Sequence, residues 1–592
     1  MGRVAQALRT FVALALPYFR SEDRWRGLPL LAAVIIMEFV VVYVAVLINQ
    51  WNGRFFNALE QRDWNAAQVE LIVFLLITVG TAVSHMVMFY VGQHLQIRWR
   101  RWMTERFVGL WMAHSRHYRV RFVAPEVDNI HLRIANDIGA FIQKTYEIGS
   151  GLVGVLVMLT SFTIILWGLS ATTPLPLFGV DLSFPGYLIV VALVYASIGT
   201  VLAHLVGARL IPLNFRQQRF EADLRFAAAR VTDHSEAVAL LRGEPVERLE
   251  LRRRLMALVR NWVTLTQYQM RLNCFTQGYS HVSTVFPTLV VTPAYLAGAI
   301  PLGVLMQAAS AFQRVEASLS FFVTTYSKIA EWKASMDRVA QLEAAMHAVD
   351  QVDLPNGAVA VATHPHAGLS VRDLLLRLPN GEPIAPVPDF TLVPGDRLLV
   401  NGQSGSGKSS LFRTLSGAWP FGEGEIRIPA TARVLVLPAQ PYFPLGSLRQ
   451  VLAYPSTAED VADNEVRFAM AAVGLAHLAD RLDEEAEWSS VLSSGEQQRI
   501  GFARVLINRP TIVMLDDAVS RLDSAEAAAL YDLIATRLPD AIVISTGQSA
   551  ALAGLHRRSI TMNGGSAQAQ GERHAAAPGI VPVPAAALAP QT

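Results

Sequence analysis

A single cysteine, Cys274, stands among 592 residues, so no disulfide can form within the chain, and the count does not identify a compartment. Charge is scarce as well. Charged residues make up 17%, against about 25% in average soluble domains, while hydrophobic residues reach 52%. The net charge of +2 offers no basic excess for nucleic acid, and no nucleic-acid partner is expected. The first 26 residues carry five arginines but no small-residue cleavage site, so the apolar run that follows should stay in the mature protein. Residues 170–185 contain neither lysine nor arginine. A chain of this length should hold more than one domain, and the apolar excess is concentrated in its first 325 residues.

Four uninterrupted apolar stretches, residues 27–47, 69–91, 149–169 and 186–207, are each long enough to cross ~30 Å of hydrocarbon. Two weaker ones, 275–296 and 301–324, include Arg314 and Glu316, which must then face a bundle interior or an aqueous path. Glu38, His85, His204 and His281 are further ionisable residues at apparent membrane depth. Arginines crowd the segments before the first stretch, between the second and third, and between the fourth and fifth. Such asymmetry places these segments and both termini in the cytoplasm, with the bilayer as an obligatory partner. Residues 98–114 and 214–254 repeat apolar positions every three or four residues and read as helices reaching below the membrane.

A polar junction at 344–368 separates this transmembrane domain, 1–343, from a soluble one at 369–564, and an Ala- and Pro-rich tail from 565 onward reads as disordered. In the soluble part, strand-like runs at 397–400, 432–437, 511–515 and 541–545 alternate with helical ones, which predicts an α/β domain with a mainly parallel sheet. The first of these strands enters Gly402-Gln403-Ser404-Gly405-Ser406-Gly407-Lys408-Ser409, after which Ser410 opens a helix. That is the setting of a phosphate-binding loop. Its glycines let successive N–H groups turn toward one anion, Lys408 reaches the outer phosphates of ATP, and Ser409 holds Mg²⁺. Asp516, closing the strand at 511–515, is placed to supply a second Mg²⁺ ligand, and Asp517 follows it.

Leu492-Ser493-Ser494-Gly495-Glu496-Gln497-Gln498, with Gln440 after one strand and Ser520-Arg521-Leu522-Asp523 after the acidic pair, resembles the ATP-binding cassette of ABC transporters. The resemblance implies that Ser493 and Gly495 contact the γ-phosphate held by a second copy of the chain. It also implies that Gln440 ligates Mg²⁺ and couples to the membrane domain. Residues 49–59, Ile97-Arg98-Trp99-Arg100, Asp128-Asn129-Ile130-His131-Leu132-Arg133-Ile134, residues 221–226 and residues 303–308 are similar to the SbmA/BacA group and to peroxisomal acyl-CoA half-transporters. The expected fold is therefore a six-helix transmembrane bundle of the ABC exporter type, with long cytoplasmic helical extensions, followed by the α/β cassette.

The implied activity is ATP-driven movement of a peptide, cobalamin-like or acyl-CoA-like cargo across a bacterial inner membrane by a homodimer. Ile130, His131 and Leu132 depart from the pattern of the membrane half, and three positions depart from that of the cassette. Asp517 stands where a glutamate usually polarises water, and Gln548 stands where a histidine usually meets the γ-phosphate. Leu378 stands where the family usually stacks a residue on adenine, and it would give an apolar contact without an aromatic face. Asp517 and Gln548 motivate a second reading, a nucleotide-gated or proton-coupled transporter whose slow ATPase is regulatory. A soluble ATPase with a membrane anchor fits poorly, since one span would suffice for anchoring.

Overall fold

A computed structural model describes residues 2–172, 176–177, 180–181, 184–349, 359–364, 368–547, 550–563 and 581–582. The chain divides into two compact units: Met1–Leu110 with Asn129–Ala344, and Trp111–Asp128 with Ala345–Thr592.

The first unit is helical. Arg24–Glu60, Trp64–Val123, Ile130–Ala171 and Tyr187–Asp233 are long and apolar enough to cross a membrane, by length and composition. Ile36, Phe39, Leu76 and Phe89 stand 53–67% exposed on these helices, a surface suited to lipid rather than water. The two weaker stretches fall at the end of Glu244–Leu296 and across Leu302–Leu319 into Phe321–Ala348. The arginine-rich segment between the fourth and fifth stretches forms Leu210–Asp233, Ser235–Leu240 and the start of Glu244–Leu296. The interruption falls at Gly243, with Pro245 inside the first turn of the last helix, where its missing N–H is harmless.

Leu302–Leu319 is the core element of this unit. It buries Gly303, Leu305, Ala308, Ala309, Ala311, Phe312 and Val315, a run of small residues that lets neighbouring backbones approach closely. The Asn49–Leu59 motif meets its start. The Asn57 side chain accepts from the Gly303 N–H at 2.8 Å, and Glu60 accepts from the Leu302 N–H at 2.8 Å. Asn49 donates to the Gln307 carbonyl at 2.9 Å, one turn further along. The second motif is anchored too. After one π-helical turn at Arg133–Asp137, Asp137 takes a bidentate pair from Arg338 at 2.7 and 2.8 Å, and Arg133 donates to the Arg338 carbonyl.

The second unit is built on two sheets. One runs in the order Val581–Pro582, Arg558–Thr561, Arg397–Asn401, Ile542–Thr546, Ile512–Asp516, Val434–Pro438, and is parallel except at its first pair. All four strands expected from sequence lie in it; three are buried as near-continuous apolar runs, and Val434–Pro438, at the edge, is half-buried. The other sheet is largely antiparallel and joins Ala360–His364, Gly422–Pro429, Leu369–Arg377 and Pro383–Pro386, with Phe390–Leu392 beside Leu369–Arg377. Ala360–His364 lies in the stretch expected as a junction, and Val581–Pro582 lies in the expected tail. The rest of that tail lies outside the described residues.

Trp111–Asp128 belongs to this unit although it interrupts the membrane part of the sequence. His114 and Ser115 adopt left-handed backbone angles, φ 49° and 56°, and turn the chain into the short helix Arg116–Val123. Phe122 packs edge-on against Trp419, ring centres 5.1 Å apart, and Arg119 donates to the Gly417 carbonyl at 2.8 Å.

Candidate functional site

The site takes shape at the C-terminal edge of the parallel sheet. Strand register aligns Val400, Thr546, Asp516 and Pro438 across four neighbouring strands. The loops that follow therefore leave one edge side by side: the glycine loop after Asn401, Gly547 after Thr546, Asp517 after Asp516, and Ala439-Gln440 after Pro438. With strands ~4.8 Å apart, the glycine-loop strand and the Asp516 strand are separated by roughly 10 Å. Ligands of open α/β sheets bind at such an edge.

Three glycines shape the phosphate loop. Gly402, Gly405 and Gly407 have φ of 151°, 81° and 94°. A Cβ at Gly402 would meet the Ser406 Oγ at 2.5 Å and the Met562 carbonyl at 2.7 Å, so the position tolerates no side chain. The Lys408 Nζ donates to the carbonyls of Gly402 (2.7 Å) and Gln403 (2.8 Å), which fixes its ammonium at the mouth of the loop. Ser406 is 3% exposed, and its Oγ is buried without a hydrogen-bond partner. A cradle closed to side chains, an ammonium at its mouth and an unsatisfied buried hydroxyl fit a polyphosphate. Ser409 and Ser410 stand in the first turn of the helix Lys408–Leu415, with Ser409 exposed. Behind Gly407, Ile384 approaches the place of a Cβ at 3.0 Å. Leu378, in the turn that leads to the Ile384 strand, is 39% exposed.

Thr546 ties the acidic pair together. Its hydroxyl donates to the Asp516 Oδ1 at 2.8 Å and accepts from the Asp517 N–H at 3.1 Å. Asp517 is exposed and left-handed, with φ 54°, an angle that costs a non-glycine residue energy. Its Oδ1 lies 3.9 Å from where a Cβ of Gly547 would stand. Gln548 lies outside the described residues. Gln440 is exposed at the end of its strand.

Ser493 caps the helix Ser494–Asn508 in a reciprocal capping box. Its Oγ donates to the Glu496 Oε2 at 2.7 Å, and its N–H donates to the same oxygen at 2.9 Å. These bonds hold the Glu496 carboxyl below the usual range. Among the described residues, neither Ser493 nor Gly495 hydrogen-bonds to the phosphate loop of its own chain. Gly495 instead faces Leu522 and the Arg521 carbonyl, at 3.6 and 3.9 Å from its Cβ position.

Three further groups stand around the site that sequence reasoning did not single out. Gln498, 2% exposed, donates to the Ala439 carbonyl and the Ser520 Oγ and accepts from the Arg521 N–H. It links the Ser493 helix to the segment before Gln440 and to the loop after Asp517. Its position five residues past Ser493, inside the quoted motif, was the signal available. Arg504 is 4% exposed and donates to the carbonyls of Val451 and Tyr442, with Phe443 and Tyr454 rings beside its guanidinium. Burial pushes its pKa down to about 10. On the far face of the Thr546 strand, Tyr531 donates to the Ser545 Oγ, and the same hydroxyl lies 2.9 Å from the His556 Nε2. No spacing in the sequence joins those three.

The chain is similar to known proteins over most of its length. A family model described as ABC transporter transmembrane region 2 matches residues 14–296, and one described as ABC transporter matches 387–520. The inner membrane ABC transporter ATP-binding protein YddA of Escherichia coli is 31% identical over 545 residues, covering 90% of this chain and 94% of that protein. The lysosomal cobalamin transporter of Homo sapiens is 24% identical over 558 residues, covering 87% and 88%. A bacterial Atm1-family ABC exporter solved with ATP bound superposes with a TM-score of 0.72 at 16% identity, over 92% of this chain and 94% of that one.

Proposed function

The chain belongs to the ABC transporter family, as a membrane region fused to an ATP-binding cassette, and from that premise we propose a homodimeric half-transporter with six spans per chain. It hydrolyses ATP to move a peptide, cobalamin-like or acyl-CoA-like cargo across a bacterial inner membrane, with both termini in the cytoplasm. The alignment of the glycine loop, Asp516, Asp517 and Gln440 on one sheet edge carries this reading.

In that site the backbone of Gly402–Gly407 and the Lys408 ammonium bind the β- and γ-phosphates, the lysine exchanging its carbonyl partners for phosphate oxygens. Ser409, Asp516 and Gln440 are the residues that would hold Mg²⁺, which supplies charge neutralisation on the phosphates. Asp517 orients the attacking water, and Gln548 donates a hydrogen bond to the γ-phosphate. Ser493 and Gly495 of a second copy close the site. Gln498 carries that closure to Gln440 and to the loop after Asp517. The lipid-facing helices supply the bilayer-spanning half, and the cargo crosses between the two copies.

Replacing Lys408 by Ala removes the point charge on the phosphates, which no neighbouring group replaces. ATP-dependent uptake into proteoliposomes, assayed with peptides, cobalamin and acyl-CoA, is expected to fall at least ~100-fold with membrane levels unchanged. Uptake undiminished in Lys408→Ala would overturn the ATP-driven reading. Uptake that also collapsed with the proton gradient would favour the regulatory one, which the short Asp517 carboxylate supports.

A further inference from the structure

A cavity in the membrane unit has chemistry that the transport cycle above does not use. It has a volume of ≈ 460 Å³ and is lined by Phe275, Tyr279, Ser283, Thr284, Gln313 and Glu316, among others. That volume falls in the range that holds small organic ligands. Glu316 lies on Leu302–Leu319, fifteen residues past Pro301, so at 1.5 Å per residue it sits roughly 22 Å from that end of the helix. With six spans per chain, as proposed above, this places the carboxylate within the bilayer.

Its surroundings among the described residues offer it hydroxyl donors and no cation. Glu316 is 9% exposed, and both its oxygens accept from hydroxyls, Ser320 at 3.1 Å and Ser283 at 3.4 Å. No arginine, lysine or histidine among the described residues forms an ion pair with it. Arg314, two positions away, projects about 200° round the helix and does not reach it. A carboxylate at this depth costs several kcal/mol unless it meets a cation.

Aromatic rings complete the wall. Tyr279 stacks on Tyr195 with ring centres 4.8 Å apart, and Phe275 stacks on Tyr279 at 6.0 Å. The two tyrosines lock each other, each hydroxyl donating to the other's backbone carbonyl at 3.2 and 3.3 Å. The stack is admitted by Gly199, where a Cβ would lie 2.3 Å from the Tyr279 ring. The stacked rings cover one another's faces, so what they add to the wall is apolar surface.

We propose that this cavity binds a lipophilic organic cation, its positive charge against the Glu316 carboxylate and its apolar groups on the Phe275–Tyr279 stack. As a cargo site it rests on the transporter reading; as a binding site it does not. The test is equilibrium binding of radiolabelled tetraphenylphosphonium to the full chain in detergent micelles, without nucleotide, against protein-free micelles. The wild type is expected to bind saturably, and Glu316→Gln at least tenfold more weakly. Lys408→Ala should bind like the wild type. Tetraphenylborate, of equal size and opposite charge, should fail to compete on the wild-type protein, a result independent of how any variant folds. Absence of saturable binding, unchanged binding in Glu316→Gln, or equal competition by the borate would each overturn the proposal. Because no ATP is present, loss of binding with intact ATPase would remove this site alone, and loss of ATP-driven uptake with intact binding would remove only the transport reading.

Discussion

Ser545 and Thr546 are consecutive on one strand, yet alternation sends their hydroxyls to opposite faces, one toward the acidic pair and one toward a buried histidine. The His556 Nδ1 lies 2.7 Å from the Leu552 carbonyl and so must carry the proton, which leaves Nε2 to accept from Ser545. A neutral imidazole lets Ser545 accept from Tyr531 and donate to Nε2, whereas an imidazolium would leave the Ser545 hydroxyl proton with no partner among these groups. Burial holds the pKa of His556 below its ordinary value, the Leu552 carbonyl pulls it partly back, and Arg397 lowers it further. The unfolded chain takes up this proton near pH 6.5 while the folded one resists it. The contribution to stability is therefore complete above about pH 6.5 and is lost as pH falls from there toward the lower folded pKa. His556→Gln is expected to destabilise by about 1–3 kcal/mol at pH 8 and to show a shallower loss of Tm between pH 8 and 5. Parallel pH profiles of wild type and variant, read by thermal unfolding of the full chain, would rule out the relay. At this scale the sequence was legible where a motif fixes a place, as for Lys408 at the mouth of the glycine loop and Asp516 at the end of its strand. It was silent where three residues from separate elements meet, as for Tyr531, Ser545 and His556.

Among the elements, Leu302–Leu319 depends on an absent side chain. A Cβ on Gly303 would stand 2.0 Å from the Gly53 carbonyl and 2.3 Å from the Asn57 Oδ1 that caps the helix. The backbone of one helix rests on that of another, and neither can rotate aside. Gly303→Leu is expected to cost at least about 3 kcal/mol and to lower the amount of protease-resistant protein in membranes. Gly80→Leu, where nothing lies within 4 Å of the Cβ position, is the matched control and should behave as wild type. If both variants resist protease equally, the close approach is not what holds the helix. Apolar length made four membrane-crossing helices legible, and buried apolar runs made the parallel strands legible. The antiparallel sheet was not, because its strands are interrupted. Leu369–Arg377 shifts register twice, and Asp373 within it takes φ 48°, which breaks the alternation a strand is recognised by.

For the whole molecule, the decisive question is whether one chain owns a complete site. Ser493 and Gly495 make no hydrogen bond to their own phosphate loop among the described residues, and the proposed closure borrows them from a second copy. Lys408→Ala and Gly495→Asp should each abolish ATPase activity alone. Purified heterodimers of the two variants should recover up to half of the wild-type rate, because one of their two sites then draws only on intact segments. No recovery would mean that each chain builds its site unaided. Nothing in composition or periodicity announces a shared site; only the resemblance of the Ser493 segment did so. The helical reading of residues 214–254 was legible, but the desertion of Trp111–Asp128 to the other unit was not, since it rests on contacts with residues hundreds of positions later. Arg119 meets a carbonyl 298 residues further along the chain. At about 5–20 residues per second, a ribosome takes roughly 15–60 s to cover that distance. Throughout that interval Phe122 has been made and the Trp419 ring that covers it has not, so each newly synthesised chain carries an uncapped aromatic surface for many seconds before its last third exists to close it.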